Sequence, residues 1–313
     1  MRARRLSRQG SGGITVGLPL QKEIPLLVAQ RQRLGVDPND TEAAADALMT
    51  RTWKEISAAS THVSLKMQPD ELPGCFAAGP VTEPGFLDTT LIETFVQGKQ
   101  HKKPMVLVSQ DREGNLFNYI MPIMPITQVR AKKMFELTSI EEAQIKKLQE
   151  AYKLDKNPKK GFVDLGGDSA FWHSSVLLAE AHSRHGAPVW FHLNRYAPPL
   201  LHMLGIGCTH ALGDIWLYFG NLDRGMGRLQ TLGQWWGYQR AQAVSTRFQG
   251  HLLEFIRQAR PVEDATTWPT YTEKRRATLV TRREGEADDI VDDFRRERRE
   301  AWGQWAGYAR AKL

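Results

Sequence analysis

Cysteine is nearly absent from this chain of 313 residues: only Cys75 and Cys208 occur, far apart and outside any Cys-x-x-Cys pattern. That spacing excludes a disulfide framework and a thiolate metal site, and two reduced, half-buried thiols are expected. Long apolar runs are missing as well. No stretch approaches the length of a membrane span, and the basic letters at the start are not followed by the apolar run of a signal peptide, so the chain reads as soluble and cytoplasmic. Internal repeats and low-complexity tracts are absent too, which excludes solenoids and disordered spacers. Lys and Arg number 42 against 35 Asp and Glu, a net charge of +7, but the excess is not gathered on one segment. The densest basic stretches are "RARRLSR" at the start and "FRRERREAW" near the end, the latter mixed with acids. Each reads as a solvated face, so no nucleic-acid partner is expected. "GSGG" at 10–13 lacks the Lys-Ser/Thr of a phosphate cradle and reads as a turn.

What is present is an ordinary globular composition, 41% apolar and 25% charged, long enough for a sizeable core. "EIPLLVAQRQRLGV" has helical apolar spacing and stops at Gly35; "DPNDTEAAADALMTRTWKEISAAS" restarts with acids in its first turn. After a Gly/Pro-rich loop region, "LIETFVQGK" is a short helix closed by Gly98. "PMVLVSQ", 104–110, is an apolar run of strand length, and 138–153 is helical. "WHSSVLLAEAHSRHGAP" is a helix that stops at Gly186, and "VWFHLNRY", 189–196, is a second strand. A long helix follows from about Gly233 to Arg260, then a short strand, "ATLVT", and a charged helix. Strands alternating with helices predict an α/β fold with a largely parallel sheet.

In such sheets functional groups collect in loops past the carboxyl ends of strands. "DREGNLF" after the first strand offers Asp111 and Glu113. "GCTHALGD" after the second offers His210. A carboxylate and a histidine from successive strand ends form the half of a triad in which the acid orients the imidazole. A surface Glu and a core His are the plainer alternative. Cys208 is too close in sequence to His210 to share a substrate atom with it and reads as a structural thiol. His182 and His185, one turn apart, sit where cations complement a helix C-terminus, and no carboxylate stands at metal-ligand spacing, so no metal site is expected. "LGQWWGYQRAQ" either packs a helix on the sheet or lines an acyl pocket. "GGDSAF", 166–171, is one letter short of the Gly-x-Ser-x-Gly nucleophile elbow, because Phe171 stands where the sharp turn demands a small residue.

"GPVTEPGFLDTTLIETFVQGKQHKKPMVLVSQDREGNLF", "HGAPVWFHLNRYAPPL", "GIGCTHALGDIWLYFGNL" and "TWPTYTEKRRATLV" together, in this order, resemble segments of the type-B carboxylesterases, the cholinesterase-like branch of the α/β-hydrolases. The resemblance extends over most of the chain. It implies a partial α/β-hydrolase fold: the C-terminal part of a mostly parallel sheet flanked by helices, with residues 1–313 one incomplete domain. It also implies serine-esterase chemistry on small-molecule ester substrates without a cofactor, with Glu113 as triad acid and His210 as triad base. The acid loop reads Asp-Arg-Glu-Gly where the family has Asp directly before Glu. The histidine loop carries an extra residue around Gly213, which bears on the placement of Asp214.

The triad of this family follows the order nucleophile, acid, histidine. Ser169 comes after the acid, so the resemblance argues against it as nucleophile and makes Asp168 a helix N-cap. Nothing before Glu113 reads Gly-x-Ser-x-Gly. The opening "RARRLSRQGSGGITV" resembles the segment just downstream of the elbow helix. The expectation is therefore a chain without its own nucleophile, inactive by itself and prone to associate through a raw sheet edge. Two functions stay open: a carboxylic-ester hydrolase whose serine lies elsewhere, and a non-catalytic hydrolase-like interaction or remnant protein.

Overall fold

The structure is a computed structural model that describes residues 30–37, 39–63, 65, 68–73, 85, 88–119, 126–209, 214–222, 237–262 and 267–305. Its centre is built from the two apolar runs. β1 (Met105–Gln110) and β2 (Val189–Asn194) pair in parallel along their whole length, with Met105 opposite Val189 and Gln110 opposite Asn194. β3 (Ala277–Thr281) lies parallel to β2, and β4 (Asp288–Asp292) adds an antiparallel edge, giving the order β1-β2-β3-β4 among the described residues. β4 is a strand that apolar periodicity does not announce. It is held by ladder bonds to β3, by a bidentate Arg282–Asp289 pair and by Ile290 and Val291, which pack at the margins of the two cores.

Parallel neighbours require crossovers, and helices supply them. Between β1 and β2 run Glu113–Tyr119, Gln128–Leu137, Glu142–Ala151 and a continuous helical stretch over 158–184. Between β2 and β3 run Asp214–Phe219 and the long helix Tyr238–Gln258. β2 is buried throughout, and its side chains alternate between two cores. Val189, Phe191 and Leu193 join Leu148, Leu165, Trp172, Val176 and Trp302 on one face. Trp190 meets Trp268 and Phe255 on the other. Among the described residues no helix is long and apolar enough to cross a membrane.

The 158–184 stretch corrects one expectation. Asn157 and Pro158 start it, the Asn157 side chain accepting the Lys160 N–H, and it continues through "GGDSAF" without a cap. Asp168–Trp172 form a π-helical turn between the α-helical Pro158–Gly167 and His173–Arg184. Asp168 thus lies in the helix interior with helical dihedrals, and its carboxylate binds side chains instead of backbone N–H groups. Ser169 is buried, its hydroxyl donating to the Gly166 carbonyl at 2.8 Å. A serine so held inside a helix is no elbow.

Of the three imidazoles buried among the described residues, His173, His182 and His192, two are held strongly neutral. His192, in the middle of β2, has Nδ1 2.6 Å from the Tyr218 hydroxyl and Nε2 2.8 Å from the Thr281 hydroxyl, with Phe248 edge-on to its ring. Burial, reinforced by His251 and Arg247 against the opposing charge of Asp288, pushes its pKa down to about 3. His173 stacks on Trp302, and burial brings it down to about 4 despite its bond to the Trp305 carbonyl. Both are neutral when folded, whereas in the unfolded chain they take up protons near pH 6.5. Their contribution is therefore complete above that pH and is lost as pH falls toward 4 and then 3. Below pH 6.5 the unfolding free energy is expected to fall with a slope that steepens toward about 1.4 kcal/mol per pH unit for each by about pH 5.5. Urea midpoints at pH 7, 6 and 5 test this: His192→Gln flattens the slope, and a parent stability constant from pH 7 to 5 would contradict it.

Candidate functional site

β1 ends at Gln110, and the chain turns through Asp111 and Arg112 into the helix Glu113–Tyr119. Glu113 is the first residue of that helix and is buried, 6% exposed. Two glycines allow the close packing here. A Cβ on Gly114 would collide with the Val163 carbonyl, and one on Gly167 would collide with the Gly114 amide. Gly167 of "GGDSAF" therefore lets the 158–184 helix press its backbone against the residue after Glu113, the role an elbow motif disguises in the sequence.

The second predicted residue, His210, lies outside the described residues, as do Cys75 and "GSGG"; the approach to His210 is nonetheless described up to Thr209. That approach is stapled to the turn before Glu113. The Arg112 amide donates to the Cys208 carbonyl at 2.9 Å. The Asn115 side-chain amide donates to the Gly205 and Ile206 carbonyls at 2.9 and 2.8 Å. The Cys208 thiol, fully buried, donates to Gln110 Oε1 at 2.9 Å, which also accepts from Asn194 Nδ2 at the end of β2. Cys208 is thus a packing and hydrogen-bonding group that joins the two strand ends. Past His210 the chain resumes as the helix Asp214–Phe219, fastened to the long helix by the Ser245 hydroxyl on the Leu217 carbonyl.

The remaining candidates fall elsewhere. His182 faces the Lys103 carbonyl at 2.8 Å and His185 the Val96 carbonyl at 3.0 Å, so both tie the helix end to the segment before β1. Among the described residues no group of three or more His, Cys, Asp or Glu could hold a metal.

Sequence reasoning missed what surrounds Asp111. Far from forming a wholly solvated face, "FRRERREAW" turns three arginines inward, with the Arg295 side chain 10%, Arg299 17% and Arg298 22% exposed. Arg295 donates to Asp111 Oδ1 and to Asp168 Oδ1, both at 2.7 Å. Arg298 donates to Asp168 Oδ2 at 2.8 Å and Asp164 Oδ2 at 2.9 Å, and the Tyr152 hydroxyl donates to Asp168 Oδ2 at 2.8 Å. Burial pushes the Asp111 carboxyl up, but Arg295, Arg112 and Arg195 outweigh it and hold its pKa below the usual carboxylate range. Arg296 and Arg299 do pair locally, with Glu300 and Asp293, but the partners of Arg295 and Arg298 are more than a hundred positions away and left no local signal.

The sequence pattern of the carboxylesterase family matches residues 13–302. The chain belongs to the carboxylesterase family. Carboxylesterase 4A of Bos taurus is 25% identical over 196 residues, 56% of this chain and 35% of that protein. A solved PNB esterase superposes with a TM-score of 0.67 at 20% identity, covering 91% of this chain and 55% of the other. The carboxylesterase of Geobacillus stearothermophilus gives 0.65 at 21%, covering 89% and 54%. This carboxylesterase-family chain thus has an α/β-hydrolase fold in part, and it spans about a third of the curated relative and about half of the solved esterases.

Proposed function

We propose that this chain supplies the acid and base of a serine-esterase triad, Glu113 and His210, for hydrolysis of small carboxylic esters. The observation that carries the reading is the 2.9 Å bond from the Arg112 amide to the Cys208 carbonyl, which holds the approach to His210 beside the turn into the buried Glu113. In this reading His210 takes the proton from a serine hydroxyl as the oxygen attacks the ester carbonyl, then gives it to the leaving alcohol. Glu113 stays ionised, orients the imidazole and stabilises its charged form. In this reading the serine and the oxyanion donors come from polypeptide outside these residues, and the edge of β1 away from β2, unpaired by any strand among the described residues, is where further strands would pair.

The test is pre-steady-state hydrolysis of p-nitrophenyl acetate by the purified 313-residue chain and by the same chain co-expressed with the polypeptide encoded directly upstream. The expected result is a p-nitrophenol burst from the co-expressed pair alone, together with covalent labelling of that pair by a fluorophosphonate. A stable complex with neither burst nor label would favour a non-catalytic interaction protein. A burst from the isolated chain would overturn the assignment of the nucleophile.

A further inference from the structure

The Arg295 guanidinium reaches across the molecule to the turn that precedes Glu113. Its Nη2 donates to the Asp111 carboxylate at 2.7 Å and to the Asp111 backbone carbonyl at 2.9 Å, while Nη1 is anchored on Asp168 at 2.7 Å. The planar group lies over Trp172, 5.4 Å from its ring centre. The carbonyl it binds belongs to the Asp111–Arg112 peptide unit, and the N–H of that same unit is the one held by the Cys208 carbonyl. One peptide plane is therefore gripped at both ends, by Arg295 and by the loop that leads to His210.

This arrangement is a costly way to gain stability. Burying a guanidinium among carboxylates returns little net free energy compared with apolar residues of the same volume. Arg295 also has φ 61°, in the left-handed region that a long side chain enters at a cost. What the arrangement does provide is direction, because a planar fork fixes the peptide it binds in two dimensions. We propose that Arg295 is a positioning residue for Glu113, setting the Asp111–Arg112 peptide so that the acid and the approach to His210 keep their relative placement. The inference rests on the reading of Glu113 and His210 as an acid–base pair.

NMR titration of the His210 imidazole in the 313-residue chain separates the two claims. Glu113→Gln is expected to lower the pKa of His210 by about one unit or more, since it removes the partner of the charged ring. Arg295→Met is expected to lower it by a similar amount with the circular dichroism spectrum intact. The sign is diagnostic. Deleting a nearby positive charge would by itself raise the pKa of a histidine, so a fall reports the lost placement of Glu113. Arg298→Met, which breaks contacts to Asp168 and Asp164 but none to Asp111, is expected to lower the melting temperature and leave the titration unchanged. Should Arg295→Met fail to fold, Arg295→Lys serves, since an ammonium cannot span Asp111 and Asp168; a fall of about half a unit is then expected. An unchanged or raised pKa in the Arg295 variant, with Glu113→Gln still active in lowering it, overturns the positioning role alone. If Glu113→Gln itself leaves His210 unmoved, the acid–base reading falls, and the inference with it.

Discussion

Under the proposed triad, His210→Ala is expected to lower the kcat of ester hydrolysis by about 10⁴- to 10⁶-fold, with KM nearly unchanged. The imidazole is the only group proposed to move the serine proton, and in triads of this type loss of the base removes almost all chemistry beyond binding and oxyanion stabilisation. Glu113→Gln is expected to cost about 10⁴-fold, because an amide can donate to the ring nitrogen, fixing the wrong imidazole tautomer, and carries no charge to stabilise the imidazolium. The decisive measurement is the double variant. Groups that work as a unit are strongly non-additive, so His210→Ala with Glu113→Gln should be no slower than His210→Ala alone. Single-turnover hydrolysis of a p-nitrophenyl ester by the three variants reads this directly. Retention of a hundredth of the parent rate by His210→Ala, or multiplicative losses in the double variant, would contradict the assignment.

The parts of this molecule that are legible in the sequence are those whose cause is local. "PMVLVSQ" and "VWFHLNRY" announce β1 and β2 because a strand buried on both faces must be apolar throughout, and the two pair over all six residues. "LIETFVQGK" is legible for a similar reason: Thr90 and Glu93 form a reciprocal capping box at one end and Gly98 takes φ 70° at the other. β4 is not legible. Asp288–Asp292 has only two apolar letters, adjacent rather than alternating, and β3 and arginines from outside the segment supply much of what stabilises it. "GGDSAF" misleads because the same letters suit an elbow, a cap or a helix interior. Only the contact of Gly167 with Gly114, from a distant part of the chain, selects the last of these. Glu113 and His210 stand between the extremes. Their residue types and strand-end positions permit a half-triad, but the bond that brings their loops together is a backbone one, from Arg112 to Cys208, and carries no signature in side chains.

Asp168→Ala is expected to destabilise the chain by about 3–5 kcal/mol, the usual cost of removing one partner from a buried charge cluster. The loss goes well beyond the contacts themselves. Asp168 accepts from Arg295, from Arg298 and from the Tyr152 hydroxyl, which in turn accepts from the Trp302 indole at 2.7 Å. Without that carboxylate the largely buried Arg295 guanidinium keeps only Asp111 as an ionic partner, and Tyr152 loses its acceptor deep in the core. Arg298 is less affected, because Asp164 still accepts from it at 2.9 Å. Asp168→Asn, which keeps one acceptor oxygen of similar shape, should fall between the alanine variant and the parent. The charge argument makes a further and less intuitive demand. If the cost of Asp168→Ala is mainly that of stranded guanidinium groups, then adding Arg298→Met should cost less in the Asp168→Ala background than in the parent, with a coupling of about 1 kcal/mol or more. Urea unfolding at pH 7 of the parent, both single variants and the double variant completes that cycle. A value for Asp168→Ala within about 1 kcal/mol of the parent would mean that water reaches the cluster and screens it as at a surface, and a guanidinium so wetted could not direct the Asp111–Arg112 peptide either.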